Sequence, residues 1–158
     1  GVSMIDIRSA VKRFKGVPHR IELVSTINGT KYYNDSKGTN PDSSIKAIEA
    51  VSEPIILIAG GYDKGSDFTE LLASFKQKGK ALILIGKTGE KIFAESRKVG
   101  IDKVFIVKDM DEAVKTAFRI STPGDTVLLS PACASWDMYN NYEERGDHFR
   151  TIVHKLME

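Results

Sequence analysis

Pro54-Ile55-Ile56-Leu57-Ile58-Ala59-Gly60-Gly61 is a continuous apolar run that ends on paired glycines. A run this short, without alternation of polar and apolar residues, is typical of a strand that is buried on both faces of a sheet. Comparable runs lie at 81–85, 104–107 and 126–129. The four segments predict the strands of a central parallel sheet.

Amphipathic helices are predicted between these strands, because apolar residues recur there at helical spacing. Four helix starts carry capping signals: Asn40 before Pro41, Asp67 with Glu70, Thr88, and Asp109 with Glu112. The chain finishes on a helical stripe of Phe149, Ile152, Val153 and Leu156. The alternation predicts an α/β fold, Rossmann-like, with a mostly parallel sheet and helices on both faces.

A β-hairpin is predicted ahead of this pattern, at the N-terminal end. Two strand-like runs, 20–27 and 30–34, are separated by Asn28-Gly29, a pair that suits a type I′ turn. The hairpin adds an antiparallel element to the sheet. Residues 1–18 are predicted to be a connecting segment, and 19–158 a single domain.

Composition narrows the class of protein. The chain has 158 residues, with 23 Lys and Arg against 21 Asp and Glu, so its formal charge is only +2. This balance disfavours nucleic acid as a partner. No apolar stretch approaches the roughly 20 residues of a membrane span, and the single Cys133 cannot form an internal disulfide. We therefore expect a cytoplasmic domain without a membrane or nucleic-acid partner.

Candidate binding groups lie in the loops that follow the strands, since ligands bind at the carboxyl ends of such sheets. The loop 35–40 leads into a helix N-terminus and carries Asp35, Lys37 and Thr39, which favours binding of a carboxylate, phosphate or sugar hydroxyl. The loop 60–65 brings Lys64 to the same edge, where it can meet an anion. An ordinary polar turn and an exposed lysine remain the alternatives for these two loops.

Three other signals are weaker. Gly86-Lys87-Thr88 is rejected as a phosphate loop, because Ala81 stands where that motif requires glycine. Cys133 with His148 or His154 as a base would make a nucleophile, but a small buried cysteine is the more common situation. His19, His148 and His154 show no metal-binding spacing, so no metal site is predicted.

Four motifs in order resemble the Mur ligase family: 14–22, 34–40, 60–65 and 130–135. The tail 141–149 is similar to the member of that family that adds D-glutamate. The likeness covers the chain from about residue 12 to its end. It implies the third domain of a three-domain ATP-dependent ligase of peptidoglycan synthesis, whose N-terminal and central domains would be its partners.

The resemblance also implies a ligand for each site residue. D-Glutamate would be held by Thr39, Lys64, Ser135, Trp136, Tyr142 and Lys37. Arg20 and Asp35 match positions that reach the ribose or adenine of ATP when the domains close. ATP and Mg²⁺ would be bound mainly by the central domain, and UDP-N-acetylmuramoyl-L-alanine by the other domains. This domain would then position substrate, contain no catalytic residue of its own and be inactive alone.

Two residues depart from the family pattern, and two other functions stay open. Gly38 stands where alanine is usual, and Tyr142 where phenylalanine also occurs. A sister ligase for L-lysine, diaminopimelate or a folate glutamate is one alternative, which the segment 130–149 disfavours. The other is a non-catalytic nucleotide-binding or regulatory module, which would not require Lys64 and Ser135 to converge on one ligand.

Overall fold

A computed structural model describes residue 4 and residues 16–158 of the chain. The described part contains six strands: β1 (Glu22–Ile27), β2 (Thr30–Asn34), β3 (Ile55–Ala59), β4 (Gly79–Leu84), β5 (Val104–Ile106) and β6 (Thr126–Leu129). Five helices connect or follow them: α1 (Pro41–Ala50), α2 (Thr69–Lys78), α3 (Gly89–Lys98), α4 (Met110–Ile120) and α5 (Tyr142–Lys155). The predicted α/β class is confirmed.

The strands form one sheet in the order β1-β2-β6-β3-β4-β5. Only the β1–β2 pair is antiparallel, and the other neighbours run parallel. The last strand, β6, enters the middle of the sheet between β2 and β3. The loop after β6 therefore lies between the loops that follow β2 and β3, although these segments are far apart in sequence.

Each central strand feeds two hydrophobic cores, because successive side chains of a strand point to opposite faces. Ile55, Leu57 and Ala59 of β3 pack in the core under α1, α2 and α3. Ile56 and Ile58 of the same strand pack in the core under α4 and α5. Burial on both faces explains why the run 54–59 contains no polar residue.

The hairpin and two of the helix starts form as the sequence predicts. Asn28 and Gly29 have φ values of 50° and 80°, the left-handed conformation that a type I′ turn requires. Asn40 caps α1 by accepting a hydrogen bond from the backbone N–H of Ser43 at 2.9 Å. Asp109 caps α4 in the same way, through the N–H of Glu112.

The other two capping predictions are wrong. The residue before α2 is Phe68, and Asp67 accepts from the N–H of Thr69 in a local turn instead of forming a capping box. Thr88 precedes α3 but makes no capping hydrogen bond. Its hydroxyl accepts instead from the N–H of Gly61 at 2.9 Å. The oxygen that was expected to cap the helix therefore bonds a neighbouring loop.

The predicted connecting segment 1–18 and the start of the motif 14–22 lie largely outside the described residues. The division of the chain at residue 18 stays a prediction. Within residue 4 and residues 16–158, no helix combines the length and the apolar character needed to cross a membrane.

Candidate functional site

The loops at the carboxyl edge of the sheet are joined to one another by backbone hydrogen bonds. The Gly60 N–H donates to the carbonyl of Pro131 at 2.9 Å, and the Ala132 N–H donates to that of Gly38 at 2.9 Å. Gly60 has a φ of 110°, and a Cβ there would collide with the carbonyl oxygen of Ile85, so only glycine fits. These contacts fix the loops after β2, β3, β4 and β6 as one rigid rim.

A pocket of about 270 Å³ opens in this rim. Its walls come from three parts of the chain that are distant in sequence: Thr39, Lys64, and the segment that carries Ala134, Ser135, Trp136, Asn141, Tyr142 and Glu143. Larger grooves of about 400 Å³ and 430 Å³ lie between α1 and α2 and between α2 and α3, but helix residues line the first and half of the second, whereas this pocket combines the loops that follow β2, β3 and β6. The 270 Å³ pocket is therefore the candidate ligand site.

Five of the six residues expected to hold D-glutamate line this single pocket. Thr39, Lys64, Ser135, Trp136 and Tyr142 meet there. Lys64 and Ser135 thus lie on the same side of the sheet, which is the arrangement that a non-catalytic module would not require. Their roles as ligands of D-glutamate stay predictions.

Aromatic rings form the outer rim of the pocket. Trp136 is 64% exposed and its ring centroid lies 5.5 Å from that of Tyr62. The Lys64 ammonium lies 5.9 Å from the indole centroid, within the range of a cation–π contact. The indole thereby limits the positions of an otherwise exposed lysine to the mouth of the pocket.

Lys37, the sixth expected ligand, lies beside the pocket. Its Nζ is 6.0 Å from the ring centroid of Tyr142, which lines the pocket, whereas Lys37 itself does not. The role of Lys37 as a ligand of D-glutamate stays a prediction.

Asp35 is buried and already hydrogen-bonded within the domain. One carboxylate oxygen accepts from the N–H of Ile21 at 3.1 Å and the other from the hydroxyl of Ser130 at 2.7 Å. Burial raises the pKa of Asp35 above its ordinary value. Asp35 therefore holds the segment after Arg20 against the end of β6, while Arg20 itself is exposed beside it.

Gly38 permits this arrangement of Asp35. A Cβ on Gly38 would lie 2.6 Å from the Asp35 carboxylate and 2.8 Å from the Ser130 hydroxyl. Alanine would therefore push the carboxylate and the hydroxyl apart. The departure from the family pattern at this position changes local packing more than the sequence suggested.

Arg145 is the principal residue of the site that the sequence analysis missed. It is 1% exposed, and its guanidinium donates to the Ser36 hydroxyl at 2.9 Å, the Ser36 carbonyl at 2.8 Å and the Cys133 carbonyl at 3.0 Å. Burial lowers its pKa to about 10. Because Ser36 in turn donates to the carbonyl of Tyr142 at 2.7 Å, Arg145 fastens three walls of the pocket together.

Cys133 is a small core residue in this structure. Burial raises the pKa of its thiol, which opposes formation of the nucleophilic thiolate. Its sulfur lies 3.4 Å from the Thr88 hydroxyl. His148 is hydrogen-bonded to Tyr139, and His154 is exposed. The two histidines considered as bases are therefore engaged or placed elsewhere.

Residues 19–133 match the model of one protein family, described as "Mur ligase, glutamate ligase domain". The chain belongs to the Mur ligase family. The resemblance drawn from the motifs is thereby confirmed. This Mur ligase domain is 56% identical over 158 residues to the UDP-N-acetylmuramoylalanine–D-glutamate ligase of Thermoanaerobacter pseudethanolicus, covering 99% of this chain and 35% of that protein.

Further relatives carry the same name. The UDP-N-acetylmuramoylalanine–D-glutamate ligase of Clostridioides difficile is 54% identical over 150 residues, which is 95% of this chain and 33% of that protein. The chain thus spans about a third of the length of the curated relatives that it matches.

Solved structures with the same fold include two ligases of different specificity. UDP-N-acetylmuramate–alanine ligase of Thermotoga maritima matches with a TM-score of 0.69 and 16% identity, over 100% of this chain and 35% of that one. A bifunctional folylpolyglutamate synthase/dihydrofolate synthase of Yersinia pestis matches with a TM-score of 0.66 and 14% identity, over the same shares. At this identity the likeness establishes the fold alone.

Proposed function

We propose that this domain binds D-glutamate for an ATP-dependent ligase that joins it to UDP-N-acetylmuramoyl-L-alanine in peptidoglycan synthesis. The observation that supports this most directly is the convergence of Lys64, Thr39 and Ser135 on one pocket. It occurs in a chain that is more than half identical to ligases with that name. An ammonium and two hydroxyls are the donors that a dicarboxylate requires.

The pocket would act by positioning its ligand. Lys64 and the hydroxyls of Thr39 and Ser135 would bind the two carboxylates of D-glutamate, which leaves the amine free to act as the nucleophile. By resemblance to the family, the amine attacks a carboxyl group that ATP has activated. Fixing the amine in one orientation converts a bimolecular attack into a nearly unimolecular one, which lowers its entropic barrier.

We infer that this domain contributes a few residues to an ATP site and does not form the complete site. Among the described residues, no three His, Cys, Asp or Glu side chains are grouped to hold a metal ion. The loop 86–88 lacks the first glycine of a phosphate loop. We propose that other domains hold ATP and Mg²⁺, and that exposed Arg20 contacts the nucleotide on closure. Asp35 is buried in this structure, so its carboxylate would have to become exposed to do the same.

The N-terminal and central domains would be the partners of this one, and they would also carry UDP-N-acetylmuramoyl-L-alanine. The chain alone would then have no ligase activity. Because the reaction consumes ATP and a nucleotide-linked precursor, we expect the protein to act in the cytoplasm.

The test is phosphate release by the full-length protein, supplied with ATP, UDP-N-acetylmuramoyl-L-alanine and D-glutamate, L-glutamate or L-lysine in turn. Turnover is expected with D-glutamate only. Turnover with L-lysine would instead identify a sister ligase, and no turnover with any amino acid would favour a binding module.

The Lys64→Ala variant tests whether this pocket is the one that binds D-glutamate. It should raise the KM for D-glutamate about 50-fold, the loss expected for a hydrogen bond to a charged group, with little change in the KM for ATP. Lys87→Ala is the matched control, because Lys87 is equally exposed on the neighbouring loop and does not line the pocket. Equal effects on both KM values would mean that Lys64 serves domain closure.

A further inference from the structure

Three polar side chains, joined by one hydrogen bond and one contact at ion-pair distance, lie next to the turn that carries Ser135. The Tyr139 hydroxyl is 2.7 Å from Nδ1 of His148. Nε2 of the same imidazole lies 3.3 Å from a carboxylate oxygen of Asp111. Asp111 belongs to the first turn of α4, His148 to α5, and Tyr139 to the loop between β6 and α5. The three groups therefore join three separate segments of the fold.

The hydroxyl of Tyr139 and Nδ1 of His148 form the hydrogen bond of this series, and the tautomer of the imidazole decides which of the two donates. Burial raises the pKa of Tyr139 to about 12, so the phenol keeps its proton. In either case the hydrogen bond ties the Tyr139 ring to α5.

Tyr139 is linked directly to the pocket through the backbone. The N–H groups of Tyr139 and Met138 both donate to the carbonyl of Ser135, at 2.8 and 3.1 Å. This turn presents the Ser135 hydroxyl to the pocket and carries Trp136 on the rim. A shift of the Tyr139 ring would move the turn, and with it the groups that surround the ligand.

We infer that Tyr139, His148 and Asp111 form a positioning series that sets the affinity of the pocket for its amino-acid ligand by holding the Ser135 turn. None of the three touches the pocket, so they act only through Ser135 and Trp136. The inference deepens the proposed function and rests on it.

The test is a double-mutant cycle in the full-length protein, with Tyr139→Phe, His148→Phe and the double variant. Each single change breaks the hydrogen bond between Tyr139 and His148, so each should raise the KM for D-glutamate about fivefold, the effect of one ordinary hydrogen bond. The double variant removes both groups and should show about the same fivefold rise instead of the roughly 25-fold product. The kcat and the KM for ATP should stay within about twofold.

His154→Phe is the matched control, because His154 is an exposed histidine on the same helix and should leave every constant unchanged. A double variant equal to the product of the singles would overturn the inference. So would unchanged KM values for D-glutamate, or equal changes in kcat and the KM for ATP, which indicate a general structural role. No turnover by the parent protein would instead overturn the proposed function, and this inference with it.

Discussion

Arg145 at the carboxyl edge of the sheet and Asp125 at the amino edge are both buried charged side chains, 1% and 3% exposed, but their surroundings differ. Asp125 forms an ion pair with Lys80 and accepts hydrogen bonds from the N–H and hydroxyl of Thr122. Among the described residues, no carboxylate lies within ion-pair distance of Arg145, which is held by a hydroxyl and two carbonyls.

This difference in charge pairing distinguishes the amino edge, where the buried charge stabilises the fold, from the carboxyl edge, which carries the pocket. The charge of Asp125 is neutralised by Lys80, so this buried charge at the amino edge is not available to a ligand. The charge of Arg145 is hydrogen-bonded but has no carboxylate in direct contact, and Asp137 acts on it only from farther away. Arg145 lies behind a pocket whose proposed ligand carries two carboxylates. A buried cation without a directly paired anion reduces stability, and here it contributes positive potential at the site where an anion would bind.

The largest effect is expected from Arg145→Met, which keeps an unbranched apolar stem and removes the guanidinium. Three acceptors around it lose their donor, so the free energy of unfolding should fall by about 3 kcal/mol. Urea unfolding of the 158-residue chain, followed by far-UV circular dichroism, measures this. Arg119→Met on the exposed surface of α4 is the control. A loss no larger than that of the control would mean that the burial of Arg145 has no structural role.

Asp125→Asn should have a smaller effect, confined to stability. It removes the ion pair with Lys80 but retains one oxygen for Thr122, so we expect a loss of about 2 kcal/mol in the same unfolding experiment. In the full-length protein the KM for D-glutamate should not change, because the amino edge is remote from the pocket. A raised KM would contradict the division of the sheet into two functionally distinct edges.

The two edges should also respond to pH in opposite directions. Although burial alone would raise it, the hydrogen bonds from Lys80 and Thr122 hold the pKa of Asp125 below its ordinary value. Its contribution to stability is therefore present above the unfolded pKa of about 4 and is lost as the pH falls through the folded pKa. The raised pKa of Asp35 has the opposite sign, since its native state binds more protons than the unfolded state, and stability falls as the pH rises through that window.

Unfolding free energies measured between about pH 3 and 7 test these signs. The deficit of Asp125→Asn relative to the parent chain should shrink on acidification. The free energy of unfolding of Asp35→Asn should instead increase relative to that of the parent chain as the pH rises. Parallel pH profiles for the two variants would show that the two carboxyl groups do not differ as their surroundings indicate.

The smallest effect is expected from a matched pair of threonines. Thr88→Val deletes the acceptor of the buried Gly61 N–H at the carboxyl edge and should cost about 1 kcal/mol. Thr122→Val removes a hydroxyl that is hydrogen-bonded to Lys80 and Asp125 at the amino edge. Asp125 keeps Lys80 and the Thr122 N–H as donors, so the change should cost less than about 0.5 kcal/mol. Equal losses would mean that the rim is no more sensitive than the outer surface.

Local sequence signals predicted those features that depend on a few neighbouring residues. The hairpin depends on the conformations of Asn28 and Gly29, and the start of α1 on Asn40 and Pro41, so both were correct. The start of α3 was placed correctly, but its predicted cap was wrong because the Thr88 hydroxyl has a partner in another loop, 27 residues away. Arg145 was missed because a lone arginine near the start of an amphipathic helix usually indicates an exposed position.

The sequence by itself determined the class of fold, the order of the helices and strands, the family, and five of the residues that line the pocket. These follow from periodicity, turn residues and short motifs, which act within a few residues of one another. Only the tertiary structure decided that β6 lies between β2 and β3, that Arg145 joins three walls, and that His148 connects Tyr139 to Asp111. The physical reason is that these contacts form between residues that the fold, and not the chain, makes neighbours.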